Sequence, residues 1–472
     1  MHPHGVRRVH SYVFVIALGL LSASGCGGGG DGGGGSGGVS VLDVLYFAGN
    51  DGTNGAELWK TDATAAGTAL VKDINIGLGD SAPAGFTAFN GAVYFSAADG
   101  INGIEIWKTD GTAAGTVLVK DIRPGSNGSA PRGFTAMNGV LYFAATDGTT
   151  GLQIWKTDGT AAGTVQVTAI NLPGGFFPNG NNGFTVLNGA LYFQASNGSS
   201  GSELWKSDGT AAGTVLVKDI MTGAGDSLPQ EFTAFNGAMY FSANDGPSGV
   251  ELWKTDGTPA GTVLVKDIST TGTGNSFPNR FAAVNSALLF VATGPSGPEL
   301  FKTDGTDAGT VLVKDINPGA GGSFPGRFAV LNGEAYFSAI TTIPNIGNEL
   351  WKSDGTEAGT VLVKDIYPNL LSSDPAFLIA FNGAIYFQAD DSTTGAELFK
   401  SDGTLAGTVL VKDINPALGP ADSSPTAFRL VNGSMVFAAN DGTTGAELWR
   451  TDGTTSGTVQ LKDICPGACD GL

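Results

Sequence analysis

Residues 86–122 read FTAFNGAVYFSAADGINGIEIWKTDGTAAGTVLVKDI, and the order of elements in this stretch decides the fold. Four short runs alternate aromatic or β-branched residues with smaller ones, the pattern of half-buried strands: Phe86–Phe89, Ala92–Ala97, Glu105–Thr109 and Thr116–Ile122. Between them lie Asn90-Gly91, Asp99-Gly100 through Gly103, and Asp110-Gly111 through Gly115. Asn-Gly and Asp-Gly supply the positive φ angles of hairpin turns, so consecutive strands are expected to be antiparallel. No segment of the chain shows sustained helical periodicity.

Working outward, the same unit recurs along the chain. Its tryptophan returns at Trp59, Trp107, Trp155, Trp205, Trp253, Trp351 and Trp449, and Phe301 and Phe399 fill two further slots at a spacing of 48 to 50 residues. A self-similar period of this length, with four antiparallel strands and a longer link in each copy, predicts an all-β propeller. In the first copy, Val39-Ser-Val41 stands in the slot of the first strand, with Leu42-Asp43 in place of Asn-Gly. The expected architecture is a nine-repeat propeller over residues 39–464, with an eight-bladed ring plus one displaced unit as the alternative.

The hairpin between third and fourth strands has a testable register. Pairing Thr61 with Thr68 sets Trp59 opposite Leu70, Leu58 opposite Val71 and Glu57 opposite Lys72. Both charges recur in eight of nine copies, and the third copy has Gln153 and Thr168 instead. Their joint loss predicts a cross-strand ion pair, worth about 0.2–1 kcal/mol per blade.

The N-terminus carries an export pattern. Arg7 and Arg8 precede the apolar run Tyr12–Leu21, which is too short to span a bilayer as a mature helix and fits a cleaved signal over residues 1–25. Leu21-Ser-Ala-Ser-Gly-Cys26 resembles the lipobox of bacterial lipoproteins, which implies lipidation at Cys26 and a membrane partner through that lipid. Residues 27–38, GGGGDGGGGSGG, then form a tether with an r.m.s. reach of roughly 20 Å. Gly27 resembles the outer-membrane sorting pattern, so the expected location is the bacterial outer membrane, facing the cell surface.

The repeated ELWKTDGT segment resembles the defining motif of the ELWxxDGT-repeat proteins, exported bacterial proteins, over residues 39 to about 464. The departures are Phe301 and Phe399 for Trp, Glu105-Ile-Trp and Gln153-Ile-Trp for Glu-Leu-Trp, and Asp62-Ala63 for Asp-Gly. The resemblance implies a secreted or surface-attached propeller-like repeat and brings no defined activity. The [Ser/Thr]-Asp-Gly-Thr hairpin is also similar to the Asp-box turn of sialidase-type propellers. The cluster of arginines and the Tyr–Glu pair that those enzymes need are not recognisable here.

Composition narrows the chemistry. The net charge of −19 becomes −21 once Arg7 and Arg8 leave with the signal, a balance that repels phosphate backbones and argues against nucleic acid. His2, His4 and His10 are the only histidines, so a chain trimmed at Cys26 has none for Ser-His-Asp catalysis or a His-based zinc site. The Asp-Gly turns (Asp51, Asp99, Asp147, Asp245 and Asp441) read as turn chemistry rather than calcium ligands, and the recurring aromatics as core. Cys465 and Cys469, in a tail over residues 465–472, are expected to form a local disulfide.

A binding site should break the repeat, and the irregular links between copies do so. Phe176 and Phe177 lie in one link, Tyr367 in another, and Arg132, Arg280 and Arg327 precede first strands, near the expected channel mouth. The sequence therefore predicts a monomeric, cofactor-free and metal-free binding or adhesion module for a glycan, matrix polymer or surface protein. A periplasm-facing envelope scaffold is the second reading, and a glycan lyase or hydrolase the third.

Overall fold

The computed structural model describes residues 43–167, 170, 184–269, 274–342, 345–368, 371–417, 421–467 and 469–472. Its strands, numbered β1 to β35 in chain order, form nine sheets. The second blade is representative: β4 (Ala84–Phe89), β5 (Ala92–Ala98), β6 (Ile104–Thr109) and β7 (Val117–Lys120) pair in sequence order, all antiparallel. Asn90 and Gly91, with φ of 47° and 78°, make the first turn as the Asn-Gly pair demands. Eight sheets have four strands. The first has three among the described residues: β1 (Leu45–Asn50), β2 (Ala56–Thr61) and β3 (Ala69–Lys72). Val39–Val41 lie outside the described residues, as do the signal, Cys26 and the tether.

The core is partitioned between blades. Because side chains alternate across a strand, each blade has two apolar faces, and each face packs on a neighbour. Leu191, Phe193, Ala195 and Trp205 of the fourth blade meet Tyr142, Ala144, Ile154 and Val167 of the third. Equivalent clusters fill every successive interface. The last joins Val431, Val436, Leu448 and Ile464 of the ninth blade to Leu45, Phe47 and Trp59 of the first. Nine clusters for nine blades close the ring, so the chain is a nine-bladed propeller and no unit is displaced. All seven tryptophans are buried, each ordered apolar side chain contributing about 1.5–3 kcal/mol by leaving water.

The lysines hold the ring from blade to blade. Lys72 donates to the Thr116 carbonyl of the next blade at 2.7 Å and lies 5.9 Å from the centre of the Trp107 ring. Lys60 reaches the Gly111 carbonyl at 2.8 Å. The same contacts span the closure: Lys462 donates to the Thr68 carbonyl at 2.7 Å and sits 5.6 Å from Trp59, and Arg450 donates to the Ala63 carbonyl.

This geometry corrects the expected Glu–Lys pair. Trp59 does face Leu70, but a bulge between Leu58 and Trp59 puts Lys72 opposite Leu58. Lys72 is then directed at the next blade, and Glu57 turns inward. Its fully buried carboxylate accepts from the Ile74 N–H (2.6 Å), the Ser81 N–H (2.9 Å) and the Ser81 hydroxyl (2.7 Å). The glutamate thus clamps the link that leads into the following blade. Seven other glutamates are buried in the same slot, from Glu105 to Glu447, and burial raises the pKa of every one of these carboxyls.

Candidate functional site

First strands of successive blades touch one another, so they lie nearest the axis. The chain enters each of them on one face of the ring and leaves on the other. On the exit face the turns share one capping pattern. Asp110 Oδ1 accepts from the N–H and hydroxyl of Thr112 at 2.9 and 2.7 Å, and Thr112 Oγ1 accepts from the Gly115 N–H. Those hydrogen bonds hold the Asp110 carboxyl below its ordinary range, and the arrangement recurs at Asp208, Asp304 and Asp402. The capping is shared from blade to blade, while Ala63 replaces glycine in the first turn and Asp307, Glu357 and Leu405 follow the threonine in three others.

The entry face holds the turns between second and third strands and the links between blades. Its turn aspartates also cap backbone: Asp147 Oδ1 accepts from the Thr149 and Thr150 N–H groups at 2.8 Å, which lowers its pKa to about 2. The links end in a repeated Ser-x-Pro. The serine is held by the buried glutamate, and the middle residue takes a left-handed conformation, as at Ala82, Ala130, Leu228, Phe277, Phe324, Asp374 and Ser424 (φ 45–48°). A second left-handed position follows at the strand entry: Gly85, Gly133, Glu231, Arg280, Phe377 and Ala427.

These two positions lie at the entry to the first strand, and their side chains differ around the ring. Blades two, three and nine carry Ala, Ser or Gly there. Blades five to eight carry Leu228, Glu231, Phe277, Arg280, Phe324, Arg327, Asp374 and Phe377. Phe277, Phe324 and Phe377 are 53%, 55% and 55% exposed. A bulky side chain at positive φ costs on the order of 1–3 kcal/mol, and three of the most exposed apolar residues sit at such positions.

The arginines of this arc are close together. The Arg280 guanidinium donates to the Pro325 carbonyl, and its backbone N–H donates to Glu231 Oε2 at 3.3 Å. Partial burial and the positive charge of Arg327 lower the Arg280 pKa, against the opposing charge of Glu231. Neither guanidinium forms an ion pair among the described residues. Asn279, Arg280, Thr293, Pro298 and Phe324 line a cavity of about 230 Å³ between the sixth and seventh blades. A larger one, about 740 Å³, lies beside the ninth blade and is lined by Phe377, Asp422, Thr426, Arg429 and Asp470 among others.

Of the residues singled out from sequence, Arg280 and Arg327 come together on this arc. Arg132 opens β8 (Arg132–Met137) in the third blade, three blades away, where burial lowers its pKa. Tyr367 follows the fourth strand of the seventh blade, in the slot where Asn317 Oδ1 accepts from the N–H and hydroxyl of Thr342 in the next blade, so it lies in a link on the entry face. Phe176 and Phe177 lie outside the described residues. A disulfide joins Cys465 to Cys469, and the tail beyond it docks: the Asn50 N–H of the first blade donates to the Gly471 carbonyl at 2.9 Å. Sequence reasoning missed Phe277, Phe324, Phe377, Glu231 and Arg429. The signal was present in the middle position of Ser-x-Pro, small in several copies and large in three consecutive ones.

No family model matches the chain, and no curated protein matches it in sequence. Among solved structures it is similar to the computationally designed Ika8 protein (14% identity, TM-score 0.40), over 77% of this chain and 94% of that one. It is also similar to a puromycin hydrolase (15%, TM-score 0.38) and to a prolyl endopeptidase (9%, TM-score 0.40). The alignments cover 76% and 78% of this chain but only 58% and 54% of those two enzymes.

Proposed function

We propose that this chain is a lipid-anchored, surface-displayed binding propeller of the ELWxxDGT-repeat type, holding a glycan, matrix polymer or surface protein at its entry face. The observation that carries the reading is the break in the repeat. One arc of the entry face bears exposed phenylalanines and two arginines, where the equivalent positions of blades two, three and nine bear alanine, serine or glycine. Large exposed apolar residues grouped on one part of a surface mark interaction sites. A role without catalysis is supported by what the repeated carboxylates already do, since the glutamates clamp links and the turn aspartates cap backbone.

The test has two parts. Protease treatment of intact cells should cleave the propeller without lysis, and Cys26→Ser should release it from the membrane. The purified chain should bind cell-surface or matrix material, and Phe324→Ala should reduce that binding. Protection from protease until the outer membrane is opened would favour the scaffold reading. Turnover of a polysaccharide that a single entry-face substitution abolishes would make the protein an enzyme.

A further inference from the structure

Three features of the arc bear on what it binds. The first is charge. The net charge of −19 repels polyanions in general, yet here the Arg280 guanidinium reaches the Pro325 carbonyl, two residues from Arg327, and neither arginine has an ion-pair partner among the described residues. Two neighbouring guanidinium groups repel unless an anion sits between them, and carboxylates match their planar fork of donors. Of the acidic groups alongside, Glu231 partly offsets the Arg280 charge without forming an ion pair with it. Glu231 accepts from the Arg280 backbone, and Asp374 accepts from Asn348 Nδ2 at 2.9 Å.

The second feature is the exposed rings. Phe277 and Phe324 occupy equivalent positions one blade apart, and Phe377 follows on the next blade. A flat ring held out at a fixed backbone angle suits stacking against the apolar face of a sugar. The third is periodicity. Blades six and seven each present one ring and one arginine at equivalent positions, Phe277 with Arg280 and Phe324 with Arg327, so a ligand engaging both blades in the same way must itself repeat. A compact protein surface has no such requirement.

We infer that the arc from Leu228 to Phe377 is a binding site for an acidic polysaccharide whose regularly spaced carboxylates pair with Arg280 and Arg327 while its sugar rings lie on Phe277 and Phe324. The inference rests on the binding-module reading above and names its ligand class.

The test uses the purified full chain in affinity electrophoresis and calorimetry. The probes are polygalacturonate, alginate, their carboxyl-reduced neutral counterparts, and phosphatidylcholine vesicles containing phosphatidylglycerol. The acidic polymers should retard the protein, the neutral counterparts should bind at least tenfold more weakly, and added salt should weaken retention. Arg280→Gln and Arg327→Gln should each cost about tenfold or more, the scale of a charge-assisted contact. Phe324→Ala should also lose affinity, and Arg123→Gln, in the link after the second blade, should bind as the parent does. An unchanged denaturation midpoint separates lost contacts from lost structure.

Equal binding to acidic and neutral polymers, lost in Phe324→Ala, would overturn the acidic specificity and leave a glycan-binding module standing. Parent-like binding by both arginine variants would overturn it as well. Preference for the vesicles would replace the polysaccharide with a membrane surface. No interaction with any polymer or vesicle would overturn the inference. Capture of a single surface protein by the same purified chain would then leave the binding-module reading in place, and its absence would bring that reading down too.

Discussion

Replacing Glu105 by glutamine isolates the clamp that holds one blade to the next. The Glu105 carboxylate is fully buried and accepts four hydrogen bonds: Ile122 N–H at 3.0 Å and Ser129 hydroxyl at 2.5 Å on one oxygen, Arg123 N–H at 3.2 Å and Ser129 N–H at 2.7 Å on the other. Glutamine keeps the shape but turns one acceptor into a donor. Whichever way the amide is set, it faces a buried backbone N–H with another N–H. A stranded buried donor costs about 1–3 kcal/mol, and the remaining contacts lose their charge assistance, so the loss should be about 3 kcal/mol. The third blade shows the outcome in a natural position, since Gln153 turns back and its amide donates to the Thr150 carbonyl instead. The assay is hydrogen exchange together with denaturant unfolding. The amides of Ile122 and Ser129 should lose protection first, and Glu105→Gln with Ser129→Ala should cost less than the sum of the two. Unchanged exchange at both amides, with stability within about 0.5 kcal/mol of the parent, would refute the clamp.

Further outcomes follow from the same contacts. Glu349, Glu397 and Glu447 have pKa values raised to about 7 by burial, so the folded chain holds these protons more tightly than the unfolded one. Stability should therefore fall as pH rises from about 4.5 to about 7, which calorimetric melting across that window checks. Lys462→Met at the ring closure should cost as much as Lys72→Met between the first two blades, about 2 kcal/mol in either case, measured by denaturant titration. A much smaller effect at Lys462 would mean that the ring is not closed there. Phe324→Gly should relieve strain at a left-handed position and stabilise the chain by roughly 1 kcal/mol while weakening ligand binding. Cys465→Ser should leave the overall melting temperature nearly unchanged, because the bonded loop is short, and should speed exchange at the Asn50 amide that the tail covers.

The parts of the fold that were legible in the sequence are those set by local chemistry repeated nine times. Asn90-Gly91 could only be a tight turn, Trp59 and its equivalents could only be core, and Trp59 opposite Leu70 followed from the hairpin. The bulge after Leu58 was not legible, because apolar alternation reads the same with or without one extra residue. That bulge turned an apparent Glu57–Lys72 pair into two separate links to the following blade. Where the pair is lost, Gln153 donates to the Thr150 carbonyl instead, and Thr168 lies outside the described residues. At the candidate site, Arg280 and Arg327 were visible as departures from the repeat. Their meeting was not, because only ring geometry places residues 47 positions apart side by side. The exposure of Phe277 was hidden for a related reason: most phenylalanines in this chain are core, and only the left-handed turn before Pro278 points this one outward.

The most direct test of the account is a hydrogen-exchange footprint of the full chain with and without saturating polygalacturonate. Protection confined to residues 228–231, 277–280, 324–327 and 377, with the equivalent segments at 82–85 and 130–133 unaffected, is the predicted result. Protection spread evenly around the ring, or concentrated on the repeated Asp-Gly-Thr turns of the opposite face, would contradict the claim that the break in the repeat is the binding site.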